Sequence, residues 1–214
     1  MDPDRFLREL HPRFDDFPRS EQPRDLRFAE ILDAVPGLAK PNNLALLNAA
    51  ASCLGPGESY VEIGTYHGTS LIAAMLGNDA EFVAIDNWSL GEGGREQLER
   101  NLARFGFADR PEIIEGDAFE TLRSAKLAGR TVGVYYYDNG HEYEEQLDGM
   151  RLIEPYLSSP ALVIVDDTDW ERVERAVDDY LEQQPRATEV VRIDGKDRGA
   201  PHWWEGMRVL RWDR

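Results

Sequence analysis

Asp138 and His141 stand three residues apart in "YYYDNGHEY" (135–143), and a second acidic pair, Asp166 and Asp167, closes the apolar run "ALVIVDD" (161–167). A carboxylate beside an imidazole can hold or move a proton near neutral pH. Carboxylates gathered from two such places can instead hold a hard cation. A polar turn with an incidental histidine would look the same in sequence. The elements that carry these residues decide between the readings.

From Asn42 onward, short apolar runs alternate with helical patterns. "NNLALLNAAASCL" reads as a helix stopped by "GPG". Strands are expected over 59–64, 81–86, 111–117, 131–138 and 161–167, with helices over 69–76, 94–106, 118–127, 141–157 and 170–184 between and after them. Two closing strands, 187–194 and 206–213, flank a Gly/Trp-rich loop. This alternation predicts an α/β fold, a doubly wound and mostly parallel seven-stranded sheet with an antiparallel last strand. Residues 1–41 are rich in Arg, Asp and Pro, with one helical stretch near "LRFAEILDAV", and read as an irregular or helical lead-in. Residues 42–214 read as one Rossmann-like domain.

In such a sheet ligands bind beyond the C-terminal strand ends. The polar residues there are Glu62 and Gly64, Asp86, Asp117, Asp138, and Asp166 with Asp167. Gly64 and Gly68 in "EIGTYHGTS" let a backbone approach a ligand closely, but their Gly-x-x-x-Gly spacing lacks the middle glycine of a dinucleotide loop. That disfavours a nicotinamide oxidoreductase. Asp86 is placed to accept from ribose hydroxyls. Asp117 could meet an exocyclic amine, or simply cap the next helix.

The segments "VEIGTYHG", "AIDNWS" and "EGDAFETL" resemble the first three motifs of class I S-adenosylmethionine-dependent methyltransferases, over roughly residues 42–214. The resemblance implies that Gly64, Thr65 and Gly68 lie against the methionine part of the cofactor, with Glu62, Tyr66 and Asp138 also in contact. It implies Asp86 on the ribose, Asp117 and Ala118 at the adenine, and Asn87 and Trp88 flanking the adenosine.

Neighbouring fourth and fifth strands, about 4.8 Å apart, would set Asp138 beside Asp166 and Asp167. Two carboxylates about 5 Å apart repel by roughly 3 kcal/mol at an effective dielectric near 20. A shared proton, a basic partner or a cation must offset this. An all-oxygen set suits magnesium or calcium better than zinc. Asp-x-x-His on one exit and Asp-Asp on the next resembles the metal-dependent sugar O-methyltransferases of the macrocin and mycinamicin type. That resemblance implies Asp138, Asp166 and Asp167 as magnesium ligands and His141 as the base, in an enzyme methylating a hydroxyl of a sugar-bearing or phenolic natural product. His141 is expected to open a helix. The competing readings are a metal-free methyltransferase of the same fold and a non-catalytic S-adenosylmethionine-binding protein.

The formal charge of −17, from 24 basic and 41 acidic side chains, argues against nucleic acid or an anionic membrane as partner. A small-molecule acceptor and a possible homo-oligomer are the expected partners. The N-terminus carries no apolar leader, so the expected location is cytoplasmic. Cys53, alone in its sequence, reads as buried helix filler. His67 could line the methionine pocket. His202, Trp203 and Trp204 could form an acceptor platform or a hydrophobic plug.

Overall fold

In the computed structural model, which describes residues 1–90 and 93–214, the tyrosine run is a fully buried strand, and the sheet grows outward from it. The strands are β1 (Ser59–Ile63), β2 (Glu81–Asp86), β3 (Pro111–Glu115), β4 (Val132–Tyr137), β5 (Leu157–Asp166), β6 (Ala187–Ile193) and β7 (Met207–Trp212). Their order is β3-β2-β1-β4-β5-β7-β6, with β7 antiparallel to both neighbours and the other pairings parallel. This is the doubly wound, mostly parallel sheet that the alternation predicts. The chain reverses direction along the sheet between β1 and β4, which is where such sheets bind ligands.

Period-2 alternation explains the three tyrosines. Tyr135 and Tyr137 face one side of the sheet and Tyr136 the other, each within a separate apolar core. On the first side lie α6 (Ala118–Arg123), α7 (Tyr143–Ile153) and α8 (Glu171–Gln183). On the other lie α1 (Pro3–Leu10), α2 (Arg27–Ala34), α3 (Pro41–Ser52), α4 (Thr69–Met75) and α5 (Gly94–Arg104). Helix α3 is buried nearly all round, as its "LALLNAAA" composition requires.

Two expectations need correction, and the lead-in, read as irregular or helical, holds a helix beyond the one near "LRFAEILDAV". Residues 3–10 form a helix capped by the Asp2 carboxylate, which accepts from the Arg5 N–H at 2.8 Å. Its charged composition hides a Phe6/Leu10 pair at i,i+4, both fully buried. The third strand stops at Glu115, so Asp117 is a helix cap and not a strand end. Helix α7 starts at Tyr143, capped by Glu142, so His141 precedes the helix. There the Glu142 and Glu145 pair forms a capping box that fixes the start two residues late.

The hydroxyls of Tyr135 and Tyr137 donate to the α7 carbonyls of Gly149 and Glu145 at 3.2 and 3.1 Å. At Gly149 an added Cβ would lie 2.3 Å from the Tyr137 ring. Gly149→Ala therefore sets a helix-propensity gain of about 1 kcal/mol against overpacking of about 1–3 kcal/mol. The variant is expected to unfold at lower urea than wild type. An equal or higher midpoint would show that the ring yields.

Candidate functional site

The exits of β1, β2, β4 and β5, the loop before β7, the start of α3 and residues 36–39 surround a cavity of about 570 Å³. That volume suits a nucleotide-sized ligand with room beside it. Gly64, Thr65, Tyr66, Asp86, Asn87, Trp88, Asp138, His141 and Asp167 all line it. Glu62, Gly68, Asp117, Ala118 and Asp166 do not.

Gly64 has φ +85°, and a Cβ there would fall 1.6 Å from the Asp138 carbonyl oxygen. A side chain at this position would push the β1 exit away from the β4 exit, so glycine is required by the site's own geometry. Gly68, at φ +89°, sits against Leu98 and caps α4 behind the cavity. Asp86 holds the loops on both sides. Its Oδ2 accepts from the Tyr66 N–H at 2.7 Å and its Oδ1 from the Trp88 N–H at 2.6 Å. The Trp88 indole N–H closes the ring of contacts by donating to the Tyr66 carbonyl at 2.9 Å. Each carboxylate oxygen keeps a lone pair for a further donor. Tyr66, Trp88 and Asp167 have φ of 47°, 50° and 55°, a strained region for residues with a Cβ, and all three lie on the cavity.

Asp117 accepts from the Glu120 N–H at 2.8 Å and serves as the N-cap of α6, with Ala118 buried behind it. Its Oδ1 thus serves the helix, and the carboxylate keeps lone pairs for a further donor.

Asp138, Asp166 and Asp167 come together as the neighbouring strands β4 and β5 dictate. Burial, then the charges of Asp166 and Asp167, pushes Asp138 well above the usual carboxylate range. Burial and the Asp167 charge raise Asp166 likewise. Tyr136 donates its hydroxyl to Asp166 and lies 3.3 Å from Asp138 Oδ2. The Asp167 N–H also donates to Asp166 Oδ1 at 3.0 Å. His141 Nε2 lies 2.6 Å from Asp167 Oδ2, and the imidazole stacks on Trp170 with ring centroids 4.4 Å apart. The hydrogen bond to Asp167 raises the His141 pKa, against the opposing effect of burial.

Among the described residues, no three acidic, imidazole or thiol side chains converge as a ready metal centre. Tyr136 and the Asp167 N–H occupy Asp166, and His141 occupies one oxygen of Asp167. The donor chemistry nevertheless fits a hard divalent ion: buried carboxylates crowd one another and are driven toward protonation for want of positive charge. Asp138 and Asp167, which both reach the cavity, are the residues able to hold one.

Several cavity residues carried no usable sequence signal as site residues. Tyr136 is one; others are Pro36, Gly37, Leu38 and Ala39 from the lead-in, Asn43 of α3, and Ser70. His67 lines the cavity and stacks on Tyr66 at 3.7 Å. The two tryptophans divide: Trp203 is a buried plug whose indole N–H donates to the Pro18 carbonyl, whereas Trp204 lines the cavity.

The sequence model of a family described as "Methyltransferase domain" matches residues 61–168. The chain belongs to this methyltransferase family. The match runs from β1 through the Asp166-Asp167 exit, so every cavity strand end falls within it. Comparison with curated proteins found no match. Among solved structures, the fold is shared with the O-methyltransferase TomG from Streptomyces achromogenes, solved with SAM, at 19% identity and TM-score 0.66 over 89% of this chain and 91% of that one. An O-methyltransferase from Bacillus cereus solved with SAH is similar at 15% identity and TM-score 0.65, over 89% and 92%. A Podospora anserina methyltransferase, also SAH-bound, is similar at 18% identity and TM-score 0.65, over 99% and 95%.

Glu62 lies fully buried behind the methyltransferase cavity, accepting from Tyr60 and Ser70 hydroxyls at 2.9 and 2.8 Å. Burial outweighs those donors and pushes its carboxyl from 4.5 to about 7. The folded state thus keeps a proton that the unfolded chain releases. The resulting stabilisation is full below about pH 4.5 and is lost as pH rises through about 7. At about 1.4 kcal/mol per pH unit, the loss is about 3 kcal/mol at most. Urea unfolding at pH 5 and pH 8 is expected to show a smaller decline for Glu62→Gln than for wild type. Equal declines would place the proton elsewhere.

Proposed function

We propose that this methyltransferase takes its methyl group from S-adenosylmethionine and transfers it to a hydroxyl of a small molecule. The observation that carries the reading is the meeting of Asp138, Asp167 and His141 in the same cavity as the Gly64–Tyr66 and Asp86–Trp88 loops. A cofactor lying along the two loops would end at the three side chains. The fold shared with O-methyltransferases solved with SAM or SAH supports the same reading. Residues 42–214 would form the catalytic domain, with the 1–41 lead-in completing its mouth through Pro36–Ala39. Asp117 would neighbour the adenine while keeping its capping bond.

Methyl transfer from a sulfonium is an in-line displacement, so alignment is the protein's main task. Asp86 and the loops it ties would hold the nucleoside. His141 would take the acceptor's hydroxyl proton at Nδ1, the ring nitrogen left basic while Nε2 donates to Asp167. Asp167 orients the ring, and Trp170 fixes its plane by stacking. We further propose magnesium held by Asp138 and Asp167, with Asp166 behind them. Such an ion lowers the pKa of a hydroxyl it binds. The sugar-bearing or phenolic character of the acceptor is part of the same proposal, supported by the room left beside the two loops and by Trp204 in the wall.

Calorimetry tests the cofactor. Wild type is expected to bind SAH in the micromolar range, and Asp86→Ala more weakly by about 1–3 kcal/mol. No binding by wild type would end the proposal.

Two rate measurements test the chemistry. Exhaustive chelation is expected to abolish turnover and added magnesium to restore it; full activity after chelation would favour the metal-free reading. His141→Gln is expected to bind SAH normally and to react about 10²–10⁴-fold more slowly. A base works only when neutral, so wild-type rate rises with pH through the histidine pKa, and the variant loses that acidic limb. A wild-type rate with the limb unchanged would remove His141 from the mechanism.

A further inference from the structure

We propose that Asn43 is a specificity-determining residue whose Nδ2 donates a hydrogen bond to a carbonyl oxygen of the acceptor, at the Trp204 end of the cavity. This assignment rests on the methyltransferase reading above.

Strand order divides the cavity. Its lining passes from the β2 exit through β1, β4 and β5 to the loop before β7. The loops tied by Asp86 occupy the β2 and β1 end, where the nucleoside would lie. Asp138, His141 and Asp167 are central, and Trp204 lies beyond them. The acceptor must approach the central group from the Trp204 side.

Asn43 belongs to that side although it comes from α3. Its Oδ1 accepts from the Trp204 N–H at 3.1 Å and from the Lys40 N–H at 3.3 Å. Two backbone donors on one oxygen fix which way the amide is turned, because reversing it would oppose N–H to N–H. The group left over is therefore a donor. Asn43 lines the cavity, is 1% exposed, and its Nδ2 has no partner among the described residues. A buried donor left unpaired is costly, so a ligand that supplies an oxygen is favoured over one that does not. Asn43 also sits in the first turn of α3, whose positive end strengthens the pull on an electron-rich oxygen. Trp204 supplies the apolar wall, with the Lys196 ammonium 3.5 Å from its ring centroid. The acceptor that fits is a small planar compound bearing a hydroxyl and, some distance away, a carbonyl.

The test compares 3,4-dihydroxybenzaldehyde with catechol, which differ by that carbonyl, on SAH-loaded protein with magnesium present. Calorimetry is expected to show the aldehyde binding wild type about tenfold tighter. Asn43→Asp keeps an oxygen for both backbone N–H groups and removes the donor. It is expected to bind SAH as wild type does and to lose the preference. In nitrogen-15-labelled wild type, the Asn43 side-chain amide signals are expected to shift with the aldehyde and not with catechol, a result independent of how the variant folds. Equal binding of the two probes, binding of neither, or unshifted Asn43 signals would overturn the assignment. A wild-type protein that fails to bind SAH would overturn the underlying reading instead.

Discussion

Buried carboxylates crowded at the exits of two adjacent strands are the constraint around which the site is arranged. The β4–β5 pairing forces the half-buried Asp138 toward Asp166 and Asp167, and burial denies those two most of the screening that water would give. Nearby groups relieve the repulsion in part. Tyr136 gives its hydroxyl to Asp166, the Asp167 N–H gives a second bond, and His141 leans on Asp167. The raised pKa values of Asp138 and Asp166 show that relief to be incomplete. Such a site favours positive charge, whether a sulfonium, an ammonium or a divalent ion.

The rest of the fold serves that juxtaposition. Gly64 lets the β1 exit touch the Asp138 backbone, and Asp86 pins the two loops that would hold a nucleoside. Among the described residues, the three non-glycine residues with positive φ, Tyr66, Trp88 and Asp167, all sit on the cavity, so backbone strain is concentrated where ligands would bind. The tyrosines of β4 secure the strand from both faces, two to α7 and one to the acids.

Much of this was legible in the residues. Alternating apolar runs and helical patterns carried the doubly wound sheet, and two terminal strands without a helix between them carried the antiparallel β7. The acids at strand exits were visible because charge at the end of an apolar run stands out. What failed was local. The third strand stops at Glu115, short of Asp117, which takes the capping role that its place before α6 had left open. His141 stays outside α7 because the capping box lies one residue on. Helix α1 was hidden by its charges. Asn43, Tyr136 and Trp170 act through contacts with distant segments, and no spacing in the chain announces a partner 161 or 30 residues away.

The central proposal is a cofactor that would run from the Asp86 loops to the crowded acids. A crystal structure with SAH and magnesium tests that most directly. SAH is expected along the Gly64–Tyr66 and Asp86–Trp88 loops, its sulfur directed toward Asp138 and His141, with an ion held by Asp138 and Asp167. SAH bound elsewhere, or bound with its sulfur away from these side chains, would contradict it.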